Sequence, residues 1–227
     1  FVTKEDHFLP PDNFQEIPEP VVAHRSSPTN FGLYLLSVLS AHDFGWASLE
    51  NAVDRISETL LTLKKLEKHR GHFLNWYETT ELTPLEPRYV SAVDNGNLAG
   101  HLLAVAQGLS EMLHCPMSFA SAQDGLKSSF QIFEYEPPAE KSASFRKLKT
   151  LLLQSKLELY HQKTFWDEVR SQLAVLEDEL LAGIKTDELQ KNYQLLVCEI
   201  TQWIHQFEKL FSSGGFLEKT SLEEFIK

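Results

Sequence analysis

Four short stretches of the chain gather residues that local structure does not call for. They are Pro11-Asp12-Asn13-Phe14-Gln15-Glu16, His24-Arg25-Ser26-Ser27-Pro28-Thr29-Asn30, the run from Gly71 to Tyr77, and Arg88 to His101. Between them they mix aromatic rings, arginine, short amides and carboxylates. That mixture suits a sugar, because pyranose rings stack on aromatic faces and vicinal hydroxyls meet planar polar groups. The residues placed to touch one are His24, Arg25, Asn30, Tyr34, His72, Asn75, Trp76, Tyr77, Arg88, Tyr89, Asn95, Asn97 and His101. Metal chemistry is not expected. His69 and His72 stand three apart and His101 lies near Asp94, but zinc asks for a more compact ligand set on rigid elements. With no phosphate-cradling glycine loop, no Gly-x-Ser-x-Gly elbow and no Asp-x-Asp pair, no cofactor is expected in this chain either.

Helices must position these residues. Five of the ten prolines (Pro10, Pro11, Pro18, Pro20 and Pro28) fall in residues 1–30, which therefore read as an extended arm. From Asn30, the apolar residues Leu33, Leu36, Val38, Leu39 and Phe44 predict a first helix capped by Thr29 or Asn30 and ended by Gly45. Ser48 opens a second through Leu49, Val53, Ile56, Leu60 and Leu63, with Lys64, Lys65, Lys68 and His69 loading its last turn. The aromatic stretch 71–79 is a non-helical connection, and a third helix runs from about Ala92 to Leu113. Residues 116–144, rich in serine with Gly125, Pro137 and Pro138, read as a loop, with Phe130 to Phe133 a short strand or turn.

From Phe145 a heptad steps through Leu148, Leu152, Ser155, Leu159, Gln162, Trp166, Val169, Leu173, Leu176 and Leu180, predicting one helix roughly 55 Å long that Gly183 stops. Thr186 caps a second helix carrying Leu189, Tyr193, Leu196, Ile200, Trp203, Phe207 and Leu210. The expectation for 145–227 is thus an antiparallel hairpin with its aromatics on the seam, serving as scaffold. The fold class is all-α.

Composition excludes several classes. A formal charge of −11 leaves no basic stripe for nucleic acid. No apolar run approaches the roughly 20 residues that cross a bilayer. Cys115 and Cys198, far apart among apolar neighbours, read as reduced core thiols in a cytoplasmic setting. The start at Phe1-Val2-Thr3 reads as an excised fragment, with no signal peptide legible.

The run Leu9 to Glu16, then Val22 to Asn30 leading to Gly32-Leu33-Tyr34-Leu35-Leu36-Ser37, then Arg70 to Tyr77, and Arg88 to His101, closely resembles the cyclic β-1,2-glucan synthase family. The resemblance covers about residues 1–110. It implies a very large protein on the cytoplasmic face of the bacterial inner membrane. Such a protein has a UDP-glucose-using glycosyltransferase region, a middle glucanase-like region that closes the ring by transglycosylation, and a phosphorylase-like end. The matching segment would begin the middle region, an (α/α)6 toroid, so residues 31–115 would supply its first helices and site loops. Its partners would be β-1,2-glucan and the remaining domains of the parent. Ser26, Asn95 and Glu78 stand where the family pattern has Thr, Ser and Asp.

Glycosyl transfer of the glycosidase type needs two facing carboxylates, and the chain offers one good candidate, Asp94, at the start of the third helix. Asp94 is equally an ordinary helix-start aspartate. Glu16 and Glu78 read as solvated loop carboxylates, so the second acid is expected downstream and the isolated fragment is expected to be inactive. Two alternatives stay open: a non-catalytic helical interaction module, which an exposed Trp166 or Trp203 would favour, and part of a β-1,2-glucan hydrolase. If the sugar site exists, Tyr34, Trp76, Arg88, Tyr89 and Asp94 should converge on one side.

Overall fold

The computed structural model describes residues 1–114, 119–133, 142–154, 163–183 and 187–212. The described chain is mostly helical: α1 (Pro28–Asp43), α2 (Leu49–Lys65), α3 (Ala92–His114), α4 (Phe119–Phe133), α5 (Ala143–Gln154), α6 (Lys163–Gly183) and α7 (Asp187–Ser212). Three two-stranded antiparallel ribbons join β1 (Phe14–Gln15) to β2 (Val21–Val22), β3 (Arg25–Ser26) to β6 (Tyr77–Glu78), and β4 (Lys68–His69) to β5 (His72–Phe73). Two compact units emerge, one from residues 1–40 and 51–115, the other from 41–50 and 116–227.

In the first unit, the core gathers Leu9, Phe31, Leu63, Leu66, Leu74, Tyr77 and Leu98. The proline-rich arm is folded into this unit: Leu9 is fully buried, and the hydroxyls of Thr59 and Thr62 donate to the carbonyls of Phe8 and His7 at 3.0 and 2.8 Å. Those two α2 side chains hold backbone at positive φ (51° at His7, 60° at Phe8), where L side chains rarely settle. Helix α1 starts two residues earlier than expected because Ser27, not Thr29 or Asn30, is its cap; the Asn30 N–H donates to Ser27 Oγ, and Pro28 takes the first turn, where no amide is needed. α2 stops at Lys65. Lys68 lies on β4 and folds back to donate to the carbonyls of Leu63 and Leu66. Arg70 and Gly71, both at positive φ, make the tight turn of the β4–β5 hairpin.

α1 and α3 run parallel. Thr29 meets Asp94 and Asn97, Gly32 meets His101, and Leu39 meets Gly108. A Cβ on Gly32 would lie 2.3 Å from His101 Nδ1, so only glycine lets the helices approach there.

The second unit departs from the expected hairpin. Its core takes Ala122, Leu126 and Phe130 from α4, Phe145, Leu148 and Leu152 from α5, Trp166, Val169 and Leu176 from α6, and Tyr193, Ile200, Trp203 and Phe207 from α7. The stretch read as a loop thus contains helix α4, and Phe130 to Phe133 is its last turn. Gly125, the apparent breaker, is a contact: a Cβ there would fall 2.1 Å from the Gly45 carbonyl oxygen. The single long helix is also corrected, since α5 folds back along α6. Ser142 donates to Glu179 at one end while Lys147 pairs with Glu168 further along. A heptad records which face is apolar and not whether the chain reverses, so one stripe reads as one helix. Ser155, Leu159 and Gln162 lie outside the described residues.

The α6–α7 pairing runs antiparallel as expected, with Trp166 stacked on Phe207 and Arg170 paired with Glu208. Leu152, Trp166, Leu173, Leu196, Ile200 and Trp203 are all buried. Cys198 is exposed and unbridged rather than a core thiol, because the buried stripe of α7 passes through Leu196 and Ile200. No described helix is long and apolar enough to cross a membrane.

Candidate functional site

The first unit brings part of the expected set together on one face. Arg25 projects from β3, and its guanidinium carbon sits 5.1 Å from the centre of the Trp76 ring, a cation–π stack. Its Nε and Nη2 both donate to Asp12 Oδ2, at 3.2 and 3.0 Å, and Asn30 Nδ2 reaches Asp12 Oδ1 at 3.5 Å. Asn30 in turn accepts from Ser27 Oγ. Asp12 thereby clamps the arm to the start of α1.

Trp76 links this group to Asp94 through Asn75. In the amide orientation that satisfies its neighbours, the Asn75 oxygen accepts from Trp76 Nε1 at 2.5 Å and from the Tyr89 hydroxyl at 2.8 Å, while its nitrogen donates to Asp94 Oδ2 at 3.3 Å. Asp94 Oδ1 accepts from Thr29 Oγ1 at 2.6 Å, and Asn97 Nδ2 donates to the same hydroxyl at 3.1 Å. Capping of α3 falls to Ser91, whose Oγ accepts from the Asp94 N–H. The Asp94 side chain is therefore directed by Thr29 and Asn75 and does not cap its own helix. Above α3, Gly96 and Gly100 face open space, and Tyr89 is half exposed.

Other candidates are placed elsewhere. Tyr77 is 0% exposed in the core, where its hydroxyl donates to the Glu67 carbonyl and accepts from the Leu74 N–H; burial raises its pKa, opposed in part by that amide. Tyr34 accepts from Arg55 of α2. Asn95 clamps β5 to α3, exchanging bonds with both backbone groups of Phe73. Arg88 commits its guanidinium to Glu67 and Glu86. His72 is exposed on β5 opposite His69. His101 sits against α1, its buried Nδ1 without a partner among the described residues. Among those residues no three His, Cys, Asp or Glu side chains gather as a metal's ligands would.

The sequence reading missed Asp6. Only 4% exposed, it accepts from Thr79 Oγ1 at 2.5 Å, from Thr3 Oγ1 at 3.0 Å and from His24 Nδ1 at 2.7 Å. Burial alone would raise its carboxyl, but the hydrogen bonds from Thr79, His24 and Thr3 hold it below the ordinary value. No local spacing announces a contact with Thr79, 73 residues away.

No family model matches the chain. Over 127 residues it is 54% identical to cyclic beta-(1,2)-glucan synthase NdvB of Rhizobium meliloti (strain 1021). Those residues are 56% of this chain and 4% of that protein, so the chain matches a small part of its relative. The likeness to cyclic β-1,2-glucan synthases read from the motifs is thus supported by the alignment itself.

Proposed function

We propose that the face formed by Arg25, Trp76, Tyr89, Asp94 and Asn97 holds a β-1,2-linked glucan, as part of the glucan-binding and ring-closing region of a cyclic β-1,2-glucan synthase. One observation carries the reading: Asn75 ties an aromatic platform and a carboxylate into one rigid group, in a chain that shares most of its length with a protein named for that synthesis. A pyranose ring stacks on Trp76 or Tyr89, while Asp94, its two oxygens already oriented by Thr29 and Asn75, accepts from the vicinal hydroxyls. For glycosyl transfer Asp94 supplies one carboxylate, and the second comes from further along the parent toroid. UDP-glucose chemistry and the membrane anchorage belong to other regions of that parent.

Calorimetric titration of the whole parent region with β-1,2-, β-1,4- and α-1,4-linked gluco-oligosaccharides tests this. The β-1,2 series is expected to bind best, and Asp94→Asn to weaken it more than tenfold, as loss of a charged hydrogen bond worth roughly 1.5 to 3 kcal/mol requires. Arg88→Ala is expected to change little, since its guanidinium is already paired with Glu67 and Glu86. Equal binding of all three linkages, or unchanged affinity in Asp94→Asn and Trp76→Ala, would sink the proposal.

A further inference from the structure

Helices α1, α2 and α3 do not share one kind of surface. α2 has the ordinary exterior of a globular helix, with Asp54, Glu58, Lys64 and Lys65 exposed. α1 carries no Asp, Glu, Lys or Arg from Pro28 to Ala41, and α3 none from Asn95 to Ser110. Phe31 of α1 and Leu98 of α3 enter one core, so the sides these neighbouring parallel helices turn away from it lie together. Leu33 follows Phe31 by two residues and Leu103 follows Leu98 by five, which at 3.6 residues per turn puts both on that outer side. They are 50% and 75% exposed. A helix that is apolar all round belongs inside a structure, and a contiguous uncharged patch marks a surface that something covers.

The glycines of α3 show what fits against it. Gly108 faces α1, and Leu39 fills the space its missing side chain leaves, since a Cβ there would lie 2.8 Å from Leu39 Cδ1. Gly96 and Gly100, one turn apart, have no atom within 4 Å of the same position. One side of α3 thus shows leucine packed into a glycine notch, and another shows the notch unfilled. We propose that the uncharged side of α1 and α3, carrying Leu33, Gly96, Gly100 and Leu103, is a docking face for a helix from another part of the synthase polypeptide, one that seats aliphatic side chains over the two glycines. The inference rests on the chain being part of such a synthase and not on the glucan it holds. The 127 aligned residues are 4% of the relative, so nearly all of such a polypeptide lies outside this chain. A second copy would instead bring its own net charge of −11 against the same charge here, which opposes self-association.

Thiol alkylation tests the docking face. Leu103→Cys and Leu33→Cys are each compared in the 227-residue chain and in the whole synthase, with modification read peptide by peptide by mass spectrometry. Glu58→Cys, on the charged side of α2, is the reference. In the 227-residue chain all three are expected to react at similar rates. In the whole synthase the two leucine positions are expected to slow by about tenfold or more against Glu58→Cys, as burial under a packed helix requires. Unchanged rates at both, or slowing at only one of them, overturn the proposal. So does equal slowing at Glu58→Cys, because the cover would then ignore charge. Slowing in the 227-residue chain that grows with its concentration makes the occupant a second copy and overturns it too. No sugar enters the measurement, so its failure leaves the glucan face standing, and a failed glucan titration leaves these rates as they are.

Discussion

The two units hold themselves together by different means. In the second, four helices share one apolar core from Ala122 to Phe207. In the first, short ribbons and loops are tied by polar side chains: Asp6, Asn75, Asn95 and Tyr77 each join segments that are distant in sequence or irregular in backbone. An apolar core tolerates many residues of suitable volume, whereas a polar tie depends on particular atoms. The unit that carries the candidate site is the one whose geometry is specified atom by atom, which a binding face requires.

Core truncation sharpens the contrast most. Trp203→Ala removes a buried indole that also donates to the Gly45 carbonyl, and should destabilise the bundle by about 3 to 5 kcal/mol in denaturant unfolding. An effect under about 1 kcal/mol would contradict a shared core. Among the polar groups of the bundle is Glu199, whose carboxyl burial pushes up to about 7 although Ser129 donates to it and lowers it. Its folded value lies above the ordinary 4.5, so its stabilising effect is complete below about pH 4.5 and is lost as the pH rises through about 7. The loss amounts to roughly 3 kcal/mol, read as a fall in urea midpoint between about pH 4.5 and 8 that Glu199→Gln abolishes. A pH-independent difference between the two proteins would remove Glu199 from that account.

Tyr77→Phe probes the first unit with almost no change of volume. It strips one hydroxyl from between the Leu74 N–H and the Glu67 carbonyl and should cost about 1 to 3 kcal/mol, more than a core of interchangeable apolar groups predicts. At the small end, Arg88→Ala breaks two surface ion pairs and should shift stability by about 0 to 1 kcal/mol, fading further in high salt.

The same contrast decides what the sequence could reveal. α3 was legible almost to the residue, expected from Ala92 to Leu113 and found from Ala92 to His114, because its ends carry ordinary signals. Trp76, Tyr89 and Asp94 converge as expected, joined through Asn75, but Tyr34 and Arg88 pair with Arg55 and with Glu67 and Glu86. Tyr77 and Trp76 are neighbours of like chemistry, and only strand alternation sends one inward. Asp6 left no trace in local pattern, since its partners come from Thr3, His24 and Thr79. In the bundle, serines and Gly125 hid α4 because its apolar stripe is narrow, passing through Ala122, Leu126 and Phe130.

The Gly45 turn carries a consequence for the order of events during synthesis. Its carbonyl oxygen is the acceptor for Trp203, 158 residues later, and the Leu49 N–H waits for Gln206 over a similar span. At a translation rate of about 5 to 20 residues per second, that peptide emerges on the order of ten to thirty seconds before its partners exist. Phe44 and Trp46 remain in water beside it even in the finished fold. Residues 41–50 are therefore made long before α7, and a chain halted before Trp203 holds that turn without its lock.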